Sequence, residues 1–206
     1  TLPYATLLMM NHAPFEVVLD EDVAGGALDR YEVLVMPRAD TLTRGMHARI
    51  RAFIADGGKV IADDSLRAPL PGAEMTDFDF THQSRVDGRA LAGGNAVTAA
   101  ENREIMEGYA RELAPLLADT PRPATADTPR VLTNTLEGGA ARYHFFVNDE
   151  RTYGPRFGEH KLFFELGAPQ TARASVPLGG RPALYDAMLR APVEYREQDG
   201  RAEFDM

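Results

Sequence analysis

The chain has 206 residues, of which 44% are hydrophobic and 26% charged, and its formal net charge is -9. This size and composition are typical of one large or two small globular domains. The negative charge argues against nucleic acid and anionic membranes as partners, because their phosphate groups would repel it. The absence of cysteine excludes disulfides, thiolate metal sites and a cysteine nucleophile. No apolar run reaches the length of a membrane-spanning helix, so we expect a soluble protein, with the cytoplasm slightly favoured.

The first half of the chain has the pattern of a parallel α/β sheet. Residues 7–11 are apolar and suit the end of a helix. Short apolar runs, which are typical of strands covered on both faces, follow at residues 15–19, 32–36 and 59–62. Because the sequence starts inside the first helical pattern, we expect its first strand to lie upstream of Thr1. The sequence therefore predicts an incomplete flavodoxin-like sheet.

Two helices are predicted in this half. Thr43 is the expected cap of the first, which has an apolar stripe at helical spacing and ends at Gly57-Gly58. The second covers residues 98–117, with Thr98 and Glu101 as a capping box and a late proline, Pro115, that ends or kinks it.

The second half has the pattern of antiparallel β structure. The segment 119–130 is rich in proline and threonine and is predicted to be a linker. Beyond it, the sequence predicts short strands at residues 131–136, 141–148, 161–166, 172–178, 183–185, 193–196 and 201–204. Hairpin turns are predicted at Gly138-Gly139 and Asp199-Gly200. Residues 148–160 are interpreted as a long loop. We thus predict an α/β domain at residues 1–118, a linker at 119–130 and a β-sandwich-like domain at 131–206.

Acidic residues follow the predicted strands, where ligands bind in open parallel sheets. The candidate ligand or interface residues are Arg38, Asp40, Asp63 and Asp64, with further carboxylates at residues 20–22. Such a group could hold a divalent cation or act as an acid and base pair. Aspartate is also a common cap and turn residue, and no known ligand spacing is present, so we favour this structural role.

Other chemistries have weaker signals. The five histidines (His12, His47, His82, His144 and His160) lack zinc-site spacing, so we expect structural roles for them. Ser65 follows a strand but lacks the flanking glycines of a nucleophile elbow. We predict no catalytic residue, no metal and no cofactor in this chain. Aromatic side chains of the second half could stack on sugars, although strand alternation sends many of them inward: Tyr143, Phe145, Phe146, Tyr153, Phe157, Phe163, Phe164, Tyr185 and Tyr195.

Residues 14–64 resemble a class I glutamine amidotransferase-like domain of the kind found in family 42 β-galactosidases and related glycoside hydrolases. The most characteristic parts are the run LDRYEVLVMP at residues 28–37 and the element GGKVI at 57–61. The β-rich tail is similar to the sandwich that follows such domains, with YHFFVN at residues 143–148 and ALYD at 183–186 fitting more loosely. Amidotransferases of this fold use a cysteine nucleophile, which this chain lacks.

The resemblance implies a non-catalytic region that helps to assemble subunits, often trimers, and packs against a catalytic barrel that is not part of these 206 residues. The expected partners are therefore that barrel and further copies of the chain. A different class of function is a stand-alone hydrolase or ligand-binding protein that uses the acidic strand ends. Such a protein would have a solvent-reached pocket at Arg38, Asp63 and Asp64.

Overall fold

The computed structural model describes residues 2–82, 99–157, 162–180 and 183–206, and for residues 99 and 151–166 it gives the course of the backbone alone. The chain divides into two compact units. The first consists of Thr1–Leu8 and Phe15–Thr120, and the second of Met9–Pro14 and Pro121–Met206. None of the helices in these described ranges has the length and apolar composition needed to cross a membrane.

The first unit is built on a three-stranded parallel sheet. Its strands are β1 (Val33–Met36), β2 (Lys59–Asp63) and β3 (Glu74–Thr76), in the order β1-β2-β3. In the register of the sheet, Val33 is opposite Lys59 and Ile61 is opposite Glu74. The prediction of parallel strands at 32–36 and 59–62 is confirmed.

The sheet is preceded and interrupted along the chain by the helices α1 (Leu2–Met10), α2 (Asp20–Ala24) and α3 (Arg44–Ala55) and by the 3₁₀ turn Ala27–Arg30. The predicted cap of α3 is confirmed, because Thr43 Oγ1 accepts a hydrogen bond from the Met46 backbone nitrogen at 3.2 Å. Gly57 follows the helix with a φ of 95°, a backbone conformation that glycine adopts without steric cost. Side chains from α3 and the strands form the core of this unit, including Leu34, Met36, Met46, Ile50 and Val60.

The prediction of a strand at residues 15–19 is wrong. The structure gives no regular secondary structure there, and the third parallel strand is instead β3. The valine-rich run has strand propensity, but a strand also needs a neighbour with which to exchange backbone hydrogen bonds. In the described chain, residues 15–19 have no such neighbour.

The second predicted helix is present as α4 (Ala99–Leu113), followed by the 3₁₀ turn Ala114–Leu117. The regular helix ends two residues before Pro115, as expected from the missing backbone donor of proline. Thr98, the predicted cap, lies outside the described residues.

The second unit is antiparallel, and it opens with a strand inside the predicted linker. The strands of this unit are β4 (Thr125–Ala126), β5 (Val131–Gly138), β6 (Ala141–Asn148), β7 (Arg151–Phe157), β8 (Leu162–Gly167), β9 (Arg173–Pro177), β10 (Tyr185–Asp186), β11 (Ala191–Pro192), β12 (Arg196–Gln198) and β13 (Arg201–Asp205). They form a four-stranded sheet in the order β12-β13-β9-β4 and the pairs β5-β6, β7-β8 and β10-β11. The predicted fold class, an α/β part with a parallel sheet followed by antiparallel β structure, is therefore confirmed.

The hairpin turns were predictable from glycine. β5 and β6 meet at Gly139, which has a φ of 60°, and β12 and β13 meet at Asp199 and Gly200, which have φ values of 50° and 72°. Asp199 and Gly200 thus have positive φ at both central residues, which is the geometry of a type I′ turn. The core of this unit contains Ala124, Val176 and Ala202, with Phe146 and Phe204 packed against them.

Two predictions in this half are wrong. Residues 148–160 are not a long loop, because β7 occupies most of this range and pairs with β8. The strand predicted at residues 193–196 is displaced, because residues 193–195 have no regular secondary structure and β12 begins at Arg196.

Candidate functional site

The carboxyl-terminal edge of the parallel sheet carries a buried carboxylate, Asp63, at the last position of β2. Only 8% of this residue is exposed. Its Oδ2 accepts a hydrogen bond from the Arg38 backbone nitrogen at 2.9 Å, and its Oδ1 accepts one from the Ser65 backbone nitrogen at 3.2 Å and another from the Ser65 hydroxyl. Asp63 thus fixes the turns that follow β1 and β2.

The four predicted site residues lie around this edge, but they differ in what they contribute. Arg38 binds Asp63 through its backbone, which has a φ of 54°, while its side chain is exposed. Asp40 and Asp64 are both exposed. The geometry brings Arg38 and Asp63 into contact and leaves Asp64 open to solvent beside them.

The carboxylates at residues 20–22 have a different position from the one expected, since no strand precedes them. They form the first turn of α2, and the Asp22 carboxylate accepts a hydrogen bond from the Leu19 backbone nitrogen at 2.9 Å. Acidic side chains are favourable at this end of a helix, where backbone N–H groups lack partners. Their role is to begin a helix, as the structural interpretation predicted.

Tyr4 reaches the same edge of the sheet from α1 and was not predicted. Its hydroxyl lies 2.5 Å from Thr76 Oγ1 at the end of β3. Thr76 Oγ1 also donates a hydrogen bond to the Ala62 carbonyl oxygen at 3.2 Å. Burial raises the pKa of Tyr4 above 10.0, the hydrogen bond with Thr76 opposes this shift, and the negative charges of Asp63 and Asp64 add to it.

An aromatic cluster extends from Tyr4 across the residues that follow β3. The Tyr4 ring lies 5.3 Å from that of Phe80, and the Phe78 ring stacks on that of Tyr109 with a centroid distance of 4.7 Å. Such contacts are typical of packed cores. The alternation of phenylalanine and aspartate at residues 77–80 was a signal for it, since alternate residues of an extended segment share one face.

His82 lies at the rim of this cluster and is 4% exposed. Its Nδ1 is 2.9 Å from the Asp79 carbonyl oxygen, so Nδ1 donates this hydrogen bond. Within the described ranges, Nε2 has no hydrogen-bond partner. The same ranges contain no group of three or more histidine or acidic residues arranged to hold a metal ion.

Three of the other histidines bond to groups within the fold. His12 Nε2 lies 2.9 Å from the Val131 carbonyl oxygen, His47 Nε2 lies 2.8 Å from that of Pro69, and His144 Nδ1 lies 2.9 Å from Thr135 Oγ1. Burial lowers the pKa of both His12 and His144. His160 lies outside the described residues.

The aromatic residues of the second half separate by strand alternation. Tyr143 and Phe145 of β6 are 55% and 46% exposed, while Phe146 packs edge-on against Phe204 with a ring distance of 5.7 Å. Leu136 of β5 and Val147 of β6 are also more than half exposed. The hairpin thus has one apolar face whose side chains are about half exposed in the described chain, and we call it the β5-β6 outer face. Tyr185 and Tyr195 are exposed as well, and the side chains of Tyr153, Phe157, Phe163 and Phe164 are not among those described.

A cleft of about 450 Å³ lies at the opposite, amino-terminal edge of the parallel sheet. Glu32 and Gly58, which immediately precede β1 and β2, are part of its wall, together with Arg49 and Phe53 of α3. The sequence placed the candidate pocket at the other edge, near Arg38, Asp63 and Asp64. None of these three residues lines this cleft.

No protein-family model and no curated protein sequence matches this chain. Its fold is similar to that of the alpha-L-fucosidase isoenzyme 2 from Paenibacillus thiaminolyticus, with a TM-score of 0.60 and 14% sequence identity. The match covers 100% of this chain and 43% of the fucosidase chain. This chain therefore spans less than half the length of the fucosidase to which its fold is similar.

Proposed function

We propose that these 206 residues are a non-catalytic accessory and oligomerisation region of a β-galactosidase-like glycoside hydrolase. The observation that carries this proposal is the structural match, in which the whole of this chain corresponds to 43% of a fucosidase chain. The similarity of residues 14–64 to the amidotransferase-like domain of family 42 β-galactosidases agrees with it. The chemistry then belongs to a barrel elsewhere in the longer polypeptide.

The geometry at the sheet edge supports a structural role for its carboxylates. Asp63 already accepts three hydrogen bonds from Arg38 and Ser65. Both oxygens of its carboxylate are thus engaged by groups of the fold. Asp63 is therefore suited to fixing two turns.

The β5-β6 outer face supports packing against another domain or chain. Its four apolar side chains, Leu136, Tyr143, Phe145 and Val147, are each between 46% and 55% exposed. Contiguous apolar surface of this kind marks interaction sites. We propose that the catalytic barrel or a further copy of the chain covers it in the assembled enzyme, with a trimer as the assembly that the family resemblance suggests.

A stand-alone hydrolase or ligand-binding protein is the second candidate. The exposed carboxylate of Asp64 favours it, because it lies beside Asp63 at the sheet edge where parallel sheets bind ligands. In that case Asp64 and Arg38 would contact the ligand.

Two measurements separate these functions. The complete reading frame around the 206 residues is expected to encode a (β/α)8 barrel, and a frame without one would contradict the accessory role. The purified chain is then incubated with nitrophenyl β-galactoside and nitrophenyl α-fucoside. We expect no release of nitrophenol above the buffer rate. Hydrolysis that is lost in Asp64→Asn but kept in the neighbouring control Asp40→Asn would establish the second candidate instead.

A further inference from the structure

The cleft at the amino-terminal edge of the parallel sheet lies wholly within the first unit. Residues of the 3₁₀ turn Ala27–Arg30, the two residues that follow this turn, and the second half of α3 line it. Its volume of about 450 Å³ falls in the range of small-molecule sites. The cleft is therefore large enough for a ligand, and the side chains in its wall indicate which kind.

The α3 side of the cleft combines two opposite charges with an aromatic ring. Arg49, Phe53 and Asp56 line the cleft, and their spacing of four and three residues places them on one side of the helix. Arg49 and Asp56 are two helical turns apart, about 10 Å along the axis. Ala52 lines the same side, and its small side chain leaves the space between the two charges open.

The aromatic rings of the cleft are restricted by their neighbours. A side-chain carbon on Gly58 would lie 2.4 Å from the Phe53 ring, so glycine at this position lets the ring lie against the backbone that leads into β2. Tyr31 also lines the cleft, and its hydroxyl donates a hydrogen bond to the Glu16 carboxylate. Both rings are thus ordered before a ligand binds, which lowers the entropy cost of binding.

The charged side chains of the cleft wall are open to a ligand. Three are acidic and one is basic: Asp29, Glu32, Asp56 and Arg49. All four are exposed, and within the described part of the chain none of them forms a side-chain hydrogen bond or an ion pair. Carboxylates accept hydrogen bonds and a guanidinium donates them. The cleft therefore presents both kinds of group without a partner.

This wall matches a neutral ring with several hydroxyl groups. Hydroxyls donate to carboxylates and accept from a guanidinium, and the C–H face of such a ring packs on an aromatic side chain. The carboxylates disfavour an anion. An apolar ligand would desolvate the charged groups without replacing their hydrogen bonds to water, and a simple cation would leave Arg49 without a partner.

We propose that the cleft binds a sugar, with Phe53 as the stacking ring and Arg49 and Asp56 as the hydrogen-bonding groups at its two ends. The separation of these two residues suits a disaccharide. The choice of galactosides and fucosides as the sugars rests on the proposed function, whereas the presence of the site rests on the cleft itself. In an accessory region, such a site retains a glycan on the polypeptide without hydrolysing it.

The test is an NMR titration of the isotope-labelled 206-residue chain with lactose, with methyl α-fucoside and, as a cation without sugar hydroxyls, with putrescine. Gly26, Gly57 and Gly58 line the cleft, so their amides report on it. With at least one of the two sugars, we expect these amides to shift and saturate with a Kd of about 1 mM. The amides of Gly139 and Gly200 in the second unit should not shift.

Arg49→Gln and Asp56→Asn are the discriminating variants, and Arg51→Gln is the matched control. Arg51 is exposed on α3 but does not line the cleft. Each cleft variant should raise the Kd about tenfold, because one hydrogen bond to a charged group is lost, while the control keeps the original Kd. Shifts that do not saturate with either sugar, or an unchanged Kd in both cleft variants, would overturn the proposal. Saturable binding of putrescine alone would also overturn it, because the cleft would then be a cation site.

This inference and the proposed function fail separately. The titration measures sugar binding by the chain alone, whereas the reading frame and the glycoside assays measure the origin and chemistry of the chain. Sugar binding in a protein without a barrel would retain the inference and reject the proposed function. A barrel in the reading frame together with a cleft that binds no sugar would do the reverse.

Discussion

Asp63 accepts a hydrogen bond from the backbone nitrogen of Arg38 at 2.9 Å, so the last residue of β2 holds the turn that follows β1. Arg38 has a positive φ of 54°, a conformation that non-glycine residues rarely adopt without support. The buried carboxylate supplies that support. The acidic residue with the most prominent position at the sheet edge is therefore part of the framework on which any ligand or partner site there would depend.

Replacing Asp63 with alanine should lower the free energy of unfolding by about 1–3 kcal/mol, because the donors on Arg38 and Ser65 lose a buried acceptor. Asp64→Ala is the matched control. It removes an exposed carboxylate one residue away and should change stability by less than about 0.5 kcal/mol. Urea unfolding measures both, and equal effects would contradict the role given to Asp63.

Tyr4→Phe should lower the free energy of unfolding by about 1 kcal/mol at neutral pH, because it removes the hydrogen bond between Tyr4 and Thr76. The pKa of Tyr4 is raised above 10.0 by burial, so the folded state favours the protonated hydroxyl. The associated stability is present below pH 10 and is lost as the pH rises through the folded pKa. We expect the wild-type chain to lose more stability than Tyr4→Phe between pH 9 and pH 11.5. Parallel pH profiles for the two proteins would contradict this account.

His12 and His144 should titrate below the ordinary histidine pKa of 6.5, because burial lowers the pKa of each. Their folded states favour neutral imidazole. The stability linked to them is present above pH 6.5 and is lost as the pH falls through their folded pKa values. NMR titration of the ring protons measures the two pKa values directly. His12→Gln, which keeps an N–H donor for Val131, should lose less stability than the wild-type chain between pH 7.5 and pH 5.

Alanine substitutions at Phe145 and Phe146 probe the two faces of β6. Phe146→Ala should lower the free energy of unfolding by about 2 kcal/mol or more, because it removes the ring that contacts Phe204 in the core of the second unit. Phe145→Ala should lower the free energy of unfolding of the isolated chain by less than about 0.5 kcal/mol, since Phe145 is 46% exposed. Urea midpoints of both variants measure the difference. A large loss in Phe145→Ala would mean that the β5-β6 outer face is covered within the chain.

Local signals predicted the elements whose stability is local. Thr43 and Gly57 define the ends of α3, and Asp199-Gly200 defines the turn between β12 and β13. Each of these depends on the backbone conformation or the hydrogen bonds of a few adjacent residues. The order of strands in the parallel sheet was harder to predict from the sequence. Residues 15–19 have strand propensity but no partner strand, whereas β3 has little strand propensity and forms because it pairs with β2.

At the edge of the parallel sheet, too, the sequence predicted a local feature but not a contact between distant residues. The sequence identified Asp63 because an acidic residue directly follows an apolar strand, and the structure places Arg38 against it. It did not identify Tyr4, since a tyrosine in an apolar helix is an ordinary core residue. Its contact with Thr76 joins residues that are far apart in the chain, and no local pattern encodes such a pairing.

The strand order of the four-stranded sheet has a consequence for folding kinetics. β5 with β6 and β12 with β13 are hairpins between neighbouring segments, and such local pairs form within microseconds. β9 must instead find β4 on one side and β13 on the other, across long intervening stretches of chain. Closing those loops costs entropy before any contact compensates for it. We therefore expect the arrival of β9 to set the rate at which the second unit folds, so that substitutions at Ala174 or Val176 of β9 slow refolding more than substitutions in either hairpin turn.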